Sequence, residues 1–450
     1  MTINLDLRRF FQACNPAKTL VIGNPKDQKY YIDFSSVRGG EIIEEMGQTI
    51  TFLSPEPTCQ LFTGHIGCGK STELLRLQAE LEQQGYHVVY FESSQDLDMG
   101  DVDVSDILLA IARRVSESLE AVNIKLKPGY FTNLLHESVE FLKTPVELGF
   151  EASLPVGIGK LTAKTKESPK LRSQLRQYLE PRTDSILEAL NKEILGRATE
   201  ELQRQGKEGL VVIIDNLDRV DNRPKESGRT QPEYLFVDRG EQLSRLKCHV
   251  VYTLPLVLMF SNDYQSLKNR LGGGTGPKVL PMVPVKLRDG GDCTEGLAQL
   301  RQMVLARAFP DVPPEQRLNL ITEIFDSAET LDRLCRISGG HVRNLLGLLF
   351  SCIQKNKKLP ILRDSLEKVI REQRNEMLLS IDEPEWELLR QVAQRKRVSS
   401  EDRYQTLLRS LFVFEYRYGD DGLWFDINPI LAEAGELIEN ESEFRSRNSQ

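Results

Sequence analysis

Residues 62–78 read FTGHIGCGKSTELLRLQ, and the interpretation of the whole chain turns on them. Gly64-His65-Ile66-Gly67-Cys68-Gly69-Lys70-Ser71-Thr72 fits the spacing GxxxxGK[ST] of a phosphate-binding loop. Such a loop wraps backbone N–H groups around phosphate oxygens. Side chains at Gly64, Gly67 and Gly69 would obstruct that approach or the dihedrals it needs. Lys70 is placed to reach β- and γ-phosphates, the Ser71 hydroxyl suits Mg²⁺, and the helix that begins here points its positive end at the phosphates. The flanks agree. CQLFT (Cys59–Thr63) reads as a short buried strand. In STELLRLQAELEQQG the apolar residues Leu74, Leu75, Leu77 and Leu81 fall close to helical spacing before Gly85.

A metal held between phosphates needs a carboxylate, and LVVIIDNLDRV supplies one. Leu210–Ile214 form an apolar run that reads as a strand buried on both faces, ending in Asp215 where parallel α/β sheets place ligand groups. Asp215 at that point can hold Mg²⁺ through water. The water-activating group is less defined. The position after Asp215 is Asn216, and the next acid is Asp218, which either polarises the attacking water or pairs with Arg219 and caps a turn. A third strand, CHVVYTLPL, ends at Thr253, whose hydroxyl bonds either a γ-phosphate or a backbone group at the strand tip. After a short helix ending near Arg270 come a glycine-rich turn and another apolar strand. Arg270 is either a surface residue or one that reaches a neighbouring subunit's nucleotide. In SGGHVRNLLGLLFSCIQ a helix is expected from Ser338 or Gly339, with Arg343 in its first turn, touching either a γ-phosphate or a structural acid.

The rest of the composition narrows the class. The 450 residues are enough for roughly two to four domains. With 40% hydrophobic and 28% charged residues the chain reads as soluble, and no apolar run approaches the ~20 residues of a membrane span. The N-terminus lacks the layout of a signal peptide. Cys14, Cys59, Cys68, Cys248, Cys293, Cys335 and Cys352 form no CxxC pair, which points to a reduced cytoplasm without structural zinc. His65, His87, His136, His249 and His341 form no metal or nucleophile pattern. A net charge of −8 argues against a chain-wide nucleic-acid footprint. The acids of QDLDMGDVDVSD (Asp96, Asp98, Asp101, Asp103 and Asp106) miss the calcium-loop frame and read as turn and N-cap residues.

About 115 residues separate the second core strand, YHVVYFESS, from the third, far more than a crossover needs. Within them VSDILLAIARRVSESLEAV and YFTNLLHESVEFL are amphipathic helices. VELGFEASLPVGIGKLTAKTK alternates apolar residues from Val146 to Ile158, which predicts a hairpin over 146–165 turning near 157–160. That hairpin either packs on its own helices or offers an edge to a partner. LRSQLRQYLEPRTDSILEALNKEILGRATEELQRQG is helical, interrupted at Pro181. Near the C-terminus, helices carrying Trp386, Leu389 and Val392, then Tyr404, Leu407, Leu408 and Leu411, precede FVFEYRY and LWFDI around a Gly419–Gly422 turn. This is the rhythm of a winged helix. Between 382 and 433 there are 7 basic and 11 acidic residues, a net of −4, which disfavours DNA; Arg395-Lys396-Arg397 is the counter-argument.

Taken together, these motifs resemble the AAA+ superfamily and its STAND relatives, over roughly Tyr30 to Glu433. SGGHVRNLL looks like the lid of origin-recognition-type AAA+ proteins, and IIDNLDR looks like STAND and KAP-type ATPases. The resemblance implies an α/β P-loop NTPase fold: a parallel-sheet ATPase core at 1–290 with an insertion at about 100–208, a helical lid at 291–378, a winged-helix-like domain at 379–436 and a polar, disordered tail at 437–450. It also implies ATP and Mg²⁺ as cofactors. In such families the residues before the P-loop contact the base, which makes Tyr31, Asp33 and Arg38 candidates. The implied activity is that of an ATP-binding, ATP-hydrolysing switch, slow in turnover because Asn216 replaces the usual acid. It assembles with itself, signals to a separate effector protein, and suits an antiviral or stress context by analogy of fold alone. The alternatives are a DNA-acting ATPase of origin-loading or transposition-regulating type and an ATP-bound scaffold without turnover.

Overall fold

The computed structural model describes residues 5–126, 129–142, 154–419 and 422–435. It divides into two units, one of residues 43–63 and 74–279, the other of residues 1–42, 64–73 and 280–450.

The first unit is built on a five-stranded sheet. Its strands are β1 (Cys59–Gly64), β2 (His87–Glu92), β3 (Leu210–Asp215), β4 (His249–Thr253) and β5 (Lys278–Leu280), in the order β2-β3-β4-β1-β5. β2–β3, β3–β4 and β4–β1 are parallel, with Glu92 opposite Asp215, Val212 opposite Val250 and Leu61 opposite Tyr252. All six residues of β3 and all five of β4 are buried, as expected of β-branched strands covered on both faces. Helix α1 (Lys70–Gln83) follows the glycine loop, with Leu74, Leu77 and Leu81 fully buried, and ends before Gly85 at φ +91°. The fold is thus an α/β P-loop NTPase fold with a parallel sheet, and most of its other residues are helical.

The long β2–β3 crossover is helical among the described residues. Helix α2 (Val104–Ala121) starts with a capping box in which the Asp103 side chain takes the first amides and Asp106 reaches back to Asp103 N. Its Ile107, Ile111, Val115 and Leu119 are fully buried. Helices α3 (Gly129–Leu142), α4 (Leu154–Glu167) and α5 (Pro169–Leu179) complete the core around it. The acidic stretch before α2 serves as turn, cap and anchor. Asp96 binds Arg113 and Arg114 at 2.9 and 2.7 Å, Asp101 binds Arg176 at 2.5 Å, and Asp98 pairs with Arg172.

The hairpin expected over 146–165 is corrected here. Residues 146–153 lie outside the described residues, but from Leu154 the chain is the helix α4, so no turn occurs at 157–160. Leu154, Val156 and Ile158 alternate with Pro155, Gly157 and Gly159, and this imitates a period of two. The buried face is instead Ile158, Leu161 and Thr165, at helical spacing, while Val156 is 48% exposed. Gly159 serves close packing: a Cβ there would come within 3.1 Å of the Arg113 guanidinium on α2.

The second unit has its own core, formed by α6 (Thr294–Ala308), α7 (Ala328–Ile337), α8 (Val342–Asn356) and α9 (Arg363–Leu378), with the N-terminal helix Leu7–Ala13 against them. Phe11 of that helix stacks on Phe350 at 4.1 Å. Helix α8 begins at Val342 rather than at Ser338 or Gly339. Ser338–Gly340 form a tight turn, and a Cβ on Gly340 would lie 1.6 Å from the Val283 carbonyl. The C-terminal segment consists of α10 (Glu383–Arg395), α11 (Asp402–Arg409) and the antiparallel pair β6 (Val413–Arg417) and β7 (Leu423–Ile427). Leu411, expected within the second of those helices, falls past its end at φ +59°. Within the hairpin Tyr416 stacks on Trp424 at 5.4 Å, and both are fully buried.

The helical reading of α4 makes two adjacent apolar positions unequal. Ile158→Ala is expected to cost about 2–5 kcal/mol and Val156→Ala less than about 0.5 kcal/mol, measured by urea unfolding of the full chain. Equal losses would restore the strand.

Candidate phosphate-binding site

The glycine loop belongs to the second unit, and its carbonyls explain its shape. A loop that turns its amides inward must turn its carbonyls outward, where each needs a donor. Five successive carbonyls find one. Lys70 Nζ donates to the Gly64 and His65 carbonyls, both at 2.8 Å. His341 Nε2 donates to Ile66 O at 2.8 Å, and the Arg343 amide donates to Gly67 O at 3.2 Å. Arg38 Nη2 donates to Cys68 O at 2.9 Å, while its Nε holds Pro281 O at 2.8 Å. Among the described residues nothing accepts from the amides of Ile66, Gly67 and Gly69. They lead into the N-terminus of a 14-residue helix, whose dipole favours an anion.

The glycines are required by contact as well as by dihedral. Gly64 has φ +150°, and a Cβ there would stand 2.5 Å from Leu280 O. Gly67 has φ +87°, and its Cβ would stand 3.0 Å from Arg343 Cβ and from the His341 ring. Cys68 is fully buried and its thiol lies 3.6 Å from Leu280 O; Ser71 and Thr72 occupy the first turn of α1.

His65 reaches the other way. Its Nε2 accepts a 3.0 Å hydrogen bond from the amide of Glu415 in β6, 350 residues later. Nε2 therefore carries no proton, and Nδ1 does. His341 has the opposite tautomer: its Nδ1 accepts from the Asn344 amide as the N-cap of α8, so its Nε2 donates to Ile66 O. Between them lies Phe414, stacked on His341 at 5.7 Å and edge-on to His65 at 5.9 Å. Burial, reinforced by the positive charge of Lys70 nearby, pulls His65 down to about 3; burial pulls His341 down to about 4. Both rings are neutral at pH 7.

The sheet of the first unit carries a separate group of residues. Asp215 is 1% exposed; its Oδ2 accepts from the Tyr90 hydroxyl at 2.8 Å and its Oδ1 from the Asn216 amide at 2.6 Å. Asn216 turns the chain at φ +64° into the short helix Leu217–Arg219, which contains the buried Asp218. The Thr253 hydroxyl, fully buried, accepts from Leu217 N at 2.9 Å and donates to Ile214 O at 3.3 Å, tying the tips of β3 and β4 together. Arg270 is exposed, with Nη1 3.5 Å from Val237 O.

Of the remaining candidates, Tyr31 donates to the Glu73 carboxylate at 3.1 Å, and the Asp33 carboxylate accepts from Ser35 N. The sequence reading overlooked His341, Phe414, Glu415 and Tyr90. Tyr90 alone had a local signal, the alternation of YFE at a strand tip. The Ser71 hydroxyl and the Asp215 carboxylate are each hard oxygen donors of the type Mg²⁺ takes. No group of three or more His, Cys, Asp or Glu able to hold a metal by itself occurs among the described residues. No described helix is long and apolar enough to cross a membrane.

No protein-family model and no curated protein matches the chain. Among solved structures it is similar to the ORC2 protein of Aeropyrum pernix, in ADPNP–ADP complexes, with 13% identity and a TM-score of 0.39 over 91% of this chain and 94% of that one. It is similar to a Walker-type ATPase of Pyrococcus abyssi at 13% identity and a TM-score of 0.40, covering 90% and 98% of the two chains. For the Aeropyrum pernix ORC1 protein in complex with DNA the identity is 13% and the TM-score 0.37, covering 89% and 93%.

The two depressed histidines set a pH dependence. Each is neutral in the fold but protonates near 6.5 when unfolded, so the stability they contribute is complete above pH 6.5 and is lost as the pH falls towards 4 and 3. Below pH 6.5 each should remove about 1.4 kcal/mol per pH unit. Urea midpoints between pH 7 and 5 should fall steeply for the parent and less steeply for His65→Gln with His341→Gln. An unchanged slope in the double variant would place the titration elsewhere.

Proposed function

We propose that the chain is an ATP-dependent molecular switch of AAA+/STAND type, in which the state of the glycine loop is read by the C-terminal segment. The observation that carries this reading is the hydrogen bond from the Glu415 amide to His65 Nε2, which joins the second residue of the loop to β6. Nucleotide phosphates would draw Lys70 Nζ from the Gly64 and His65 carbonyls and take the loop amides. Any shift of the loop then strains the bonds to His341, Arg343 and Glu415 together, so binding biases two packings of the segment that follows.

In this reading Ser71 and Asp215 hold Mg²⁺, Lys70 holds the β- and γ-phosphates, Arg343 answers the γ-phosphate, and Tyr31 and Arg38 border the base. Thr253 and Asp218 attend the reaction at the tips of β4 and β3, and Arg270 acts on a neighbouring copy. The α10–β7 segment is a winged helix used as a clamp rather than a DNA reader. Its basic cluster is weakened because Lys396 Nζ bonds Asp426 at 2.9 Å, leaving Arg395 and Arg397 as the exposed cations. Output passes to a separate effector protein in the cytoplasm through self-assembly.

Equilibrium binding of a fluorescent ATP analogue with Mg²⁺ tests the reading. The parent should bind. Lys70→Ala should lose about ten- to a hundred-fold in affinity, the equivalent of a charge-assisted contact. His65→Leu should keep affinity within a few-fold but make hydrogen exchange in β6 independent of nucleotide. A folded parent that binds no nucleoside triphosphate ends the proposal. Binding that duplex DNA tightens, with a strong salt dependence, would favour a DNA-acting ATPase instead.

A further inference from the structure

We propose that Glu92, the last residue of β2, is the general base that takes the proton from the attacking water. The proposal rests on the ATP-hydrolysing reading above and assigns the one role that the sequence left undecided between Asp218 and no residue at all.

β2 and β3 are parallel neighbours, and Glu92 lies directly opposite Asp215. Paired residues of adjacent strands project to the same side of a sheet, with backbones ~4.8 Å apart. The side is fixed by an independent contact. Tyr90, two residues before Glu92 and so on the same face, places its hydroxyl 2.8 Å from Asp215 Oδ2. Tyr90, Glu92 and Asp215 therefore share one face, and Glu92 and Asp215 both end their strands at the carboxyl edge, the edge at which such sheets hold ligands.

The chemistry of the neighbours leaves the role to Glu92. Both oxygens of Asp215 already accept hydrogen bonds, from Tyr90 and Asn216, and the reading above assigns its charge to the metal. Asn216 carries an amide and cannot take a proton. Asp218 lies beyond the left-handed turn at Asn216, out of register with β2. Glu92 is half-buried, and among the described residues no hydrogen bond or ion pair engages its carboxylate. A carboxylate with an open acceptor beside the metal-holding acid is what a general base requires. The proton of the attacking water passes to Glu92 as the water oxygen bonds the γ-phosphorus. The bond from that phosphorus to the bridging oxygen breaks, its electron pair leaves with ADP, and Glu92 returns the proton to solvent. Tyr90 acts as a positioning residue that holds Asp215.

Steady-state phosphate release, ATP-analogue binding and pH–rate profiles on the full chain test this with Glu92→Gln, Glu92→Asp and Asp218→Asn. Glu92→Gln should lower kcat about 10²- to 10⁴-fold with affinity for Mg-ATP within threefold of the parent, and should abolish the acid limb of the pH–rate profile. Glu92→Asp, which keeps a carboxylate, should retain that limb at an intermediate rate and serves if the glutamine variant does not fold. Turnover of Glu92→Gln within threefold of the parent, with Asp218→Asn inactive, would overturn the assignment while leaving the ATPase reading intact. Equal losses of binding and turnover in Glu92→Gln would overturn it in favour of metal binding, and so would a parent that binds ATP without hydrolysing it. A folded parent that binds no nucleotide would remove the reading on which the proposal stands.

Discussion

A backbone loop that gathers amides inward cannot leave its carbonyls without donors, and in this protein that requirement organises everything around Lys70. The donors come from two separate stretches of chain, Arg38 before the loop and His341 with Arg343 at the start of α8, and from the loop's own Lys70 folding back. A buried carbonyl without a partner costs about 1–3 kcal/mol, so each donor is held in place by the loop as firmly as it holds the loop. The same constraint explains why Ser338–Gly340 cannot be helical. The chain must approach Val283 closely enough that a Cβ at Gly340 would overlap its carbonyl, and only then does His341 reach Ile66.

The link to β6 adds a second consequence. Glu415 N and Glu415 O are both engaged, the amide on His65 and the carbonyl by the Met282 amide at 3.0 Å, so this strand is paired with loop and chain rather than with solvent. Tyr416, the next residue, donates its hydroxyl to Gly339 O at 2.8 Å. Three consecutive residues, Phe414 to Tyr416, thus touch the loop histidine, the N-cap of α8 and the turn before it. β6 is thus joined to the loop and to the turn before α8 at three successive residues.

The sequence disclosed those parts whose information is local. The loop motif, the five apolar residues before Asp215 and the leucine spacing of α1 each lie within a window of a few residues, and the structure has a strand, a turn or a helix at each. Contacts with distant partners left no such mark. Nothing near Arg38 announces that its guanidinium holds Cys68 O, and nothing near Glu415 announces His65. The insertion misled because Pro155, Gly157 and Gly159 sit between apolar residues. They imitate a two-residue period, whereas Gly159 serves the approach of α4 to α2. Glu92 escaped notice for a related reason. A single acid at a strand end acquires meaning only when register sets it opposite Asp215, and register is a property of two strands separated by about 115 residues.

A histidine at the second position of the loop is a demanding choice, and its protonation explains why it works. As an acceptor for Glu415 N, Nε2 must stay unprotonated; a proton there would turn an attraction between N–H and lone pair into a clash of two donors. Burial keeps the ring neutral down to about pH 3, far below the range in which a solvent-exposed imidazole would titrate. The bond is therefore insensitive to ordinary changes in acidity. A serine or asparagine could also accept from an amide, but neither fills the space against Phe414 that fixes the ring edge-on. Shape, tautomer and burial together fix His65 between the loop and β6.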